Sequence, residues 1–134
     1  MASIKTIYLG DLSVKSTHLK SNTLLETDAP VDNNGKGESF SPTDLVVASL
    51  CSCMITIMGI KANKSGFELK RCEASLTKHM LSDPRRIGKI EIDMELDDIY
   101  TDKEKKILEA AAKTCPVALS LHPELTQDLK IRYV

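Results

Sequence analysis

The sequence predicts an α+β domain in which strands flank one buried central helix, in the order β-β-β-α-β-β-α-β. Three observations lead to this prediction. Short segments of strand-forming residues precede position 28, a helix without a charged face follows, and apolar residues alternate with polar ones from position 67 onward. Because 134 residues suffice for one core, we expect a single domain over residues 1–134.

The N-terminal third is predicted to form strands and a long loop. Three segments are rich in β-forming residues: 4–9, 12–18 and 23–27. Gly10-Asp11 is a two-residue hairpin signal between the first two. Residues 28–41 then form a loop, because proline, glycine, asparagine and scattered charges cluster there. Such a loop is longer than most plain connections, which favours a function for it.

The start of the central helix is well defined. Ser41 is a typical N-cap and Pro42 suits the first helical position. Asp44 stands three residues after the cap, where its carboxylate can accept hydrogen bonds from exposed backbone amides. We expect the helix to run from Pro42 to about Asn63 and to end near Gly66.

The middle of this helix has apolar side chains on every side and no charged residue between positions 45 and 60. A helix that is apolar all round must be covered all round. One small sheet shields only one side, so we predict a homodimer in which a second subunit helps to cover the rest. The apolar run is shorter than the ~20 residues that cross a bilayer, which favours a buried helix and no membrane partner.

Alternating patterns define the second half of the chain. Residues 67–80 and 90–97 are predicted strands, and the latter alternates apolar with acidic side chains, as in a strand with one wet face. Asp83-Pro84 turns the chain between them, so the two strands should form a hairpin. The remaining predicted elements are a helix from Asp102, a short helical turn from Pro116 and an edge strand over 128–133.

Composition excludes several classes of function. The 18 basic and 19 acidic residues nearly cancel, so no basic field is available for nucleic acid or an anionic membrane. The N-terminal residues lack the apolar run of a secretory signal, so we expect a cytoplasmic protein whose four cysteines are thiols. Phosphate-binding glycine loops and spaced metal ligands are absent, and we expect no cofactor and no metal.

Two cysteines have settings that suggest chemistry. Cys53 lies in the apolar helix, where a thiol normally stays protonated and inert unless a neighbour stabilises its negative charge. Cys115 directly precedes Pro116, so its sulfur could interact with unpaired amides at a helix start. The alternatives are that Cys53 packs as a small hydrophobe and that Cys115 is only a cap residue. Cys51 and Cys72 are interpreted as packing residues.

Two motifs resemble those of the OsmC/Ohr family, the osmotically inducible protein C and organic hydroperoxide resistance proteins. They are Ser41-Pro-Thr-Asp-Leu with the following Ala48-Ser49 and Cys53, and Lys113-Thr-Cys-Pro-Val. The order of predicted elements also fits this family. The resemblance implies an OsmC-like intertwined homodimer, with central helices buried between sheets, and thiol-dependent reduction of organic hydroperoxides.

The resemblance also implies roles for single residues. Cys53 resembles the peroxidatic cysteine, which attacks the peroxide, releases an alcohol and becomes a sulfenic acid. Cys115 resembles the resolving cysteine, which condenses with that acid to a disulfide that a thiol or dithiol reductant reopens. Asp44 resembles the carboxylate that orients the family's catalytic cation, and helix capping is an equally good interpretation of it.

The chain departs from the family in this cation. Family peroxidases present an arginine from the loop before the central helix, whereas residues 1–70 contain no arginine. Lys36 is the basic residue of that loop, and Arg85 and Arg86 in the later hairpin are alternatives. A lysine lacks the planar fork that binds a carboxylate through two bonds. The competing hypothesis is therefore a non-enzymatic protein that binds a small apolar ligand at the dimer interface.

Overall fold

The computed structural model describes residues 1–134 and confirms the α+β class and the predicted order of elements. The elements are β1 (Ile4–Gly10), β2 (Ser13–His18), β3 (Thr23–Asp28), α1 (Pro42–Lys64), β4 (Cys72–Leu81), β5 (Arg86–Leu96), α2 (Asp102–Lys113), α3 (Pro116–Ser120) and β6 (Thr126–Tyr133). One turn of 3₁₀-helix, Val31–Asn33, lies in the long loop before α1. The chain divides into two compact units, Met1–Val46 and Val47–Val134. That it forms a single domain stays a prediction.

The first unit contains an antiparallel sheet in the order β1-β2-β3. The turn between β1 and β2 is centred on Asp11 and Leu12, so the prediction of a turn at Gly10-Asp11 is wrong by one residue. Both central residues have positive φ, 51° and 63°, as a two-residue hairpin turn requires. Gly10 pairs with Ser13 across the turn, and an irregularity between Tyr8 and Gly10 shifts the strand register.

The second unit contains the sheet β4-β5-β6, with β5 in the centre. β4 and β5 form the predicted antiparallel hairpin, and β6 lies parallel to β5 at the sheet edge. The strand β4 begins at Cys72, not at Phe67 as predicted. The physical reason is that the Lys70 amide donates its hydrogen bond to the hydroxyl of Tyr100, at 2.9 Å, and not to a neighbouring strand.

The helix α1 packs one face into the core of the second unit. Its buried residues recur at intervals of three and four, which places them on one side of the helix: Val47, Leu50, Cys51, Met54, Met58 and Ala62. They form one cluster with the inner side chains of β5 and with Leu108 of α2. Ser49, Ser52 and Thr56 lie on the opposite face and are exposed. A single chain therefore covers one face of the helix and leaves the other open.

The length of α1 exceeds the apolar run recognised in the sequence. With 23 residues it is long and apolar enough to cross a membrane by length and composition alone. The core helix of a soluble protein satisfies the same two criteria, and α1 packs its buried face on β5 and α2. The absence of a membrane partner stays a prediction.

Two tyrosines at the edge of the core differ in their hydroxyl partners. Tyr100 and Tyr133 pack edge to face, with ring centroids 6.3 Å apart. The Tyr100 hydroxyl accepts the hydrogen bond from the Lys70 amide. The Tyr133 hydroxyl is buried and bonds to no protein atom, and burial raises the pKa of Tyr133 to about 12.

We expect Tyr133→Phe to leave the free energy of unfolding unchanged or to raise it by up to ~1 kcal/mol, because a buried hydroxyl without a partner destabilises the folded state. Tyr100→Phe is the matched control and should lower it by ~1 kcal/mol, since the Lys70 amide loses its acceptor. Urea unfolding of the three proteins measures both effects. A loss of more than ~1 kcal/mol in Tyr133→Phe would contradict the assignment of an unbonded hydroxyl.

Candidate functional site

The structure brings Cys53 and Cys115 together, although they lie far apart in the sequence. Cys53 lies close enough to Cys115 in the second unit for its side chain to raise the pKa of the Cys115 thiol, and no disulfide joins them. Cys53 is half-buried near the middle of α1, and Cys115 is fully buried at the start of α3. The two sulfurs therefore form a dithiol of which one member borders the surface.

The first turn of α3 fixes the position of the Cys115 sulfur. Cys115 is the N-cap residue of α3, with extended backbone, and Pro116 occupies the first helical position. Its Sγ accepts a hydrogen bond from the Ala118 amide at 3.3 Å. Because the ring of Pro116 presets the helical φ angle, little freedom remains in this turn. The predicted contact of the Cys115 sulfur with helix amides is thus present.

The environment of Cys115 favours its protonated form. Burial raises the pKa of Cys115, the amide of Ala118 opposes this, and contact with Cys53 raises the pKa further. A thiol with a raised pKa stays neutral at physiological pH and can donate a hydrogen bond. Cys53 is the neighbouring thiol to which such a bond would run.

Asp44 forms the cap of α1 together with Ser41. Its Oδ2 accepts from the Ser41 amide at 2.9 Å, and its own amide donates to the Ser41 hydroxyl at 3.1 Å. This reciprocal pair is a capping box, which satisfies two amides at the helix start. The capping interpretation of Asp44 is therefore met, and its role in orienting a cation stays a prediction.

The three candidate cations differ in their surroundings. Lys36 is exposed in the long loop of the first unit. Arg86 donates to the carbonyl oxygens of Ser82 at 3.2 Å and Pro84 at 2.8 Å, so it braces its own hairpin turn. Arg85 is an exposed neighbour in the same hairpin. The identity of the cation stays a prediction.

The sequence analysis did not identify one cluster in which an arginine is bonded to three carboxylates. Arg71 contacts Glu95 at 2.7 Å, Glu73 at 3.1 Å and Asp97 at 3.4 Å. The hydrogen bonds to Glu95 and Glu73 raise the pKa of Arg71 above its usual range. Glu73 and Glu95 lie directly opposite each other in the β4–β5 register. Two carboxylates in such positions repel each other, so a cation between them is stabilising. That register is the sequence signal that could have revealed the cluster.

The fold and the site define an α+β protein with a buried dithiol. The profile of a family described as OsmC-like protein matches residues 35–130. The chain therefore belongs to the OsmC-like protein family, and the resemblance found in its motifs is confirmed. The matched segment includes both Cys53 and Cys115. Comparison with curated proteins gives no match.

Solved structures share this fold over nearly the whole chain. A Psychrobacter arcticus 273-4 protein, described as an osmotic stress induced and detoxification response protein, has a TM-score of 0.93 and 47% identity, over 98% of this chain and 96% of its own. An OsmC-like protein from Mycoplasma pneumoniae has a TM-score of 0.81 and 15% identity, over 100% and 97%. An organic hydroperoxide resistance protein, OsmC, from Legionella pneumophila has a TM-score of 0.77 and 13% identity, over 100% and 98%. The last two similarities, at 15% and 13% identity, support the fold and nothing further.

The raised pKa of Cys115 should appear as an ionisation above pH 9.0, the ordinary value for a thiol. In Cys53→Ala we expect the pKa of Cys115 to fall, because the contribution of Cys53 to its rise is removed. It should remain above 9.0, because Cys115 is still buried. NMR titration of isotope-labelled cysteine Cβ carbons measures both values. Cys51→Ala, on the same helix, is the control and should leave Cys115 unchanged. An ionisation below pH 9.0 would contradict the described environment.

Proposed function

We propose that the protein is a cysteine-based peroxidase of the stress response, which reduces organic hydroperoxides to alcohols. The contact between Cys53 and Cys115 supports this most directly, because two cysteines form a disulfide only when their backbones are close. Membership of the OsmC-like family and the 47% identity to a protein described as a detoxification response protein agree with it. A cytoplasmic location, where thiols are kept reduced, belongs to the same proposal.

In the first half of the proposed reaction, the Cys53 thiolate attacks the O–O bond of a hydroperoxide. A sulfur–oxygen bond forms, the O–O bond breaks, and the departing alkoxide takes up a proton to leave as an alcohol. Cys53 remains as a sulfenic acid. The hydrogen bond from the protonated Cys115 stabilises the thiolate before attack.

In the second half, Cys115 loses its proton and attacks the Cys53 sulfur, which releases water and forms the disulfide. The raised pKa of Cys115 makes this step slow at neutral pH, and its rate increases as the pH rises towards that pKa. An external thiol or dithiol then restores both cysteines by exchange.

The negative charge that develops on the leaving oxygen calls for a cation. Arg86 is bonded to its own turn and Arg71 to three carboxylates. Lys36 is our leading candidate, because it occupies the loop that precedes α1, and Arg85 is the alternative. Asp44 would orient this cation in addition to capping α1.

We also propose that the protein acts as a homodimer. The face of α1 that carries Ser49, Ser52 and Thr56 is exposed in a single chain. The first unit exposes several large apolar side chains: Ile4, Tyr8, Leu24, Val31 and Phe40. Extended apolar surface in water marks an interaction site, and a second copy of the chain supplies a matching surface of the same composition.

Replacement of the two cysteines tests the catalytic proposal. Cys53→Ser should reduce consumption of cumene hydroperoxide, with dithiothreitol as reductant, to the uncatalysed rate. Cys115→Ser should still release one alcohol per chain and then accumulate a Cys53 sulfenic acid that dimedone labels in mass spectrometry. Cys51→Ser is the matched control on the same helix and should retain turnover. Undiminished turnover in Cys53→Ser would contradict the proposal that Cys53 is the peroxidatic cysteine.

Ser52→Lys tests the dimer, because it places a charge in the middle of the exposed face of α1. We expect the wild type to have twice the 14.8 kDa mass of one chain in light scattering, and the variant to lose that dimer. Asn63→Lys, at the exposed end of the same helix, should remain dimeric. A dimeric Ser52→Lys protein would show that this face is not the interface.

A second function is favoured by the absence of an arginine from residues 1–70, which include the loop before α1. In this alternative the protein binds a small apolar ligand at the dimer interface and performs no redox chemistry. Addition of a stoichiometric amount of cumene hydroperoxide, followed by a count of free thiols, separates the two. Loss of the Cys53 and Cys115 thiols in each chain, located by mass spectrometry, supports the peroxidase, and persistence of both supports ligand binding.

A further inference from the structure

Cys51 and Cys72 are two further thiols that the proposed reaction does not use. Cys51 lies on the buried face of α1 and is only 5% exposed. Cys72 is the first residue of β4, half-buried, on the side of the strand that faces the core. Cys51 is part of the core cluster, and Cys72 packs against that cluster. Neither is in a disulfide.

The chain between these two cysteines folds back along α1. The Phe67 amide donates to the carbonyl oxygen of Ala62 at 3.1 Å, which fixes the reversal at the end of the helix. A methyl group placed on Gly59 would lie 3.9 Å from Cδ2 of Leu69. The returning segment therefore runs beside the helix, with Leu69 level with Gly59.

The alignment of Leu69 with Gly59 places Cys72 at about the level of Cys51 along the axis of α1. From Leu69 to Cys72 an extended chain advances by about 10 Å. Over the same distance an α-helix runs through about six to seven residues, because each residue rises about 1.5 Å. Counting back from Gly59 by that number reaches positions 52 and 53, directly beside Cys51, which is the neighbour whose side chain faces the core.

We propose that Cys51 and Cys72 are a second dithiol, which two-electron oxidants close to an intramolecular disulfide between α1 and β4. Two S–H bonds break and one S–S bond forms, and two electrons and two protons pass to the oxidant. A hydroperoxide in this role becomes an alcohol and water. The reaction involves neither Cys53 nor Cys115, so it does not depend on the proposed peroxidase cycle.

The surroundings of Cys51 and Cys72 make this pair the slower of the two dithiols to be oxidised. Burial raises the pKa of Cys51, and burial followed by the nearby Cys51 raises the pKa of Cys72 to about 11, against a small opposing effect of Arg71. Because the thiolate is the reactive form, both sulfurs react slowly at neutral pH. The pair closes under excess or prolonged oxidation, and the new disulfide then stabilises the folded chain by restricting the unfolded one.

The test uses the full chain with Cys53→Ser and Cys115→Ser, in which Cys51 and Cys72 are the remaining thiols. Diamide, which takes up the electrons and protons as a hydrazine, should remove both thiols and lower the mass by two hydrogen atoms. Digestion should yield a Cys51–Cys72 linked peptide. The melting temperature should rise by about 5 °C and return to its first value with dithiothreitol.

Addition of Cys72→Ser to this variant is the matched control, in which no linked peptide and no rise in melting temperature should occur. If the double variant fails to fold, the same peptide is sought in the wild type after excess diamide. Two thiols that persist, or disulfides formed only between chains, would overturn the proposal. Since Cys53 is absent from the variant, that outcome would leave the peroxidase proposal standing.

Discussion

The packing of α1 on the inner face of β5 is the interaction on which the rest of the structure depends. Leu50, Met54 and Met58 of the helix and Ile92 and Met94 of the strand are all at most 1% exposed. Burial of each such side chain contributes about 1.5–3 kcal/mol. This contact fixes the rotation of α1 about its axis, and each residue step turns a side chain by about 100°. The rotation therefore decides which surroundings each cysteine of the helix meets.

One helix thus presents two thiols to two different environments. Cys53 is a neighbour of Cys115, whose sulfur accepts a hydrogen bond from the Ala118 amide at the start of α3. Cys51 is turned into the core, where burial favours its neutral form. The residue type is the same in both positions, so the difference in expected reactivity comes from burial and hydrogen bonding alone.

Local sequence signals were sufficient for most of the fold and for less of the site. The cap at Ser41 and the alternation of β5 depend on neighbouring residues, and both are as predicted. The start of β4 depends on a contact between Lys70 and Tyr100, 30 residues apart, which no local pattern contains. The meeting of Cys53 and Cys115 likewise depends on how α1 packs, and only the family resemblance implied it. Cys51 and Cys72 were missed because each was judged alone, whereas the length of chain between them fits a return along the helix.

The charge arrangement is the point at which the sequence departs from the pattern that the family resemblance implied, since residues 1–70 contain no arginine. Arg71 is bonded to Glu73 and Glu95, which face each other in the sheet. Glu95 also pairs with Arg132 at 3.2 Å. In our proposal, the cation for the dithiol is not Arg71 and comes from elsewhere. A lysine such as Lys36 is a compact point charge that needs no plane to align, so it can stabilise an alkoxide while binding a carboxylate such as Asp44 less rigidly than an arginine would. In the proposed reaction, charge balance at the leaving oxygen is therefore the requirement that this chain has to meet without an arginine before α1.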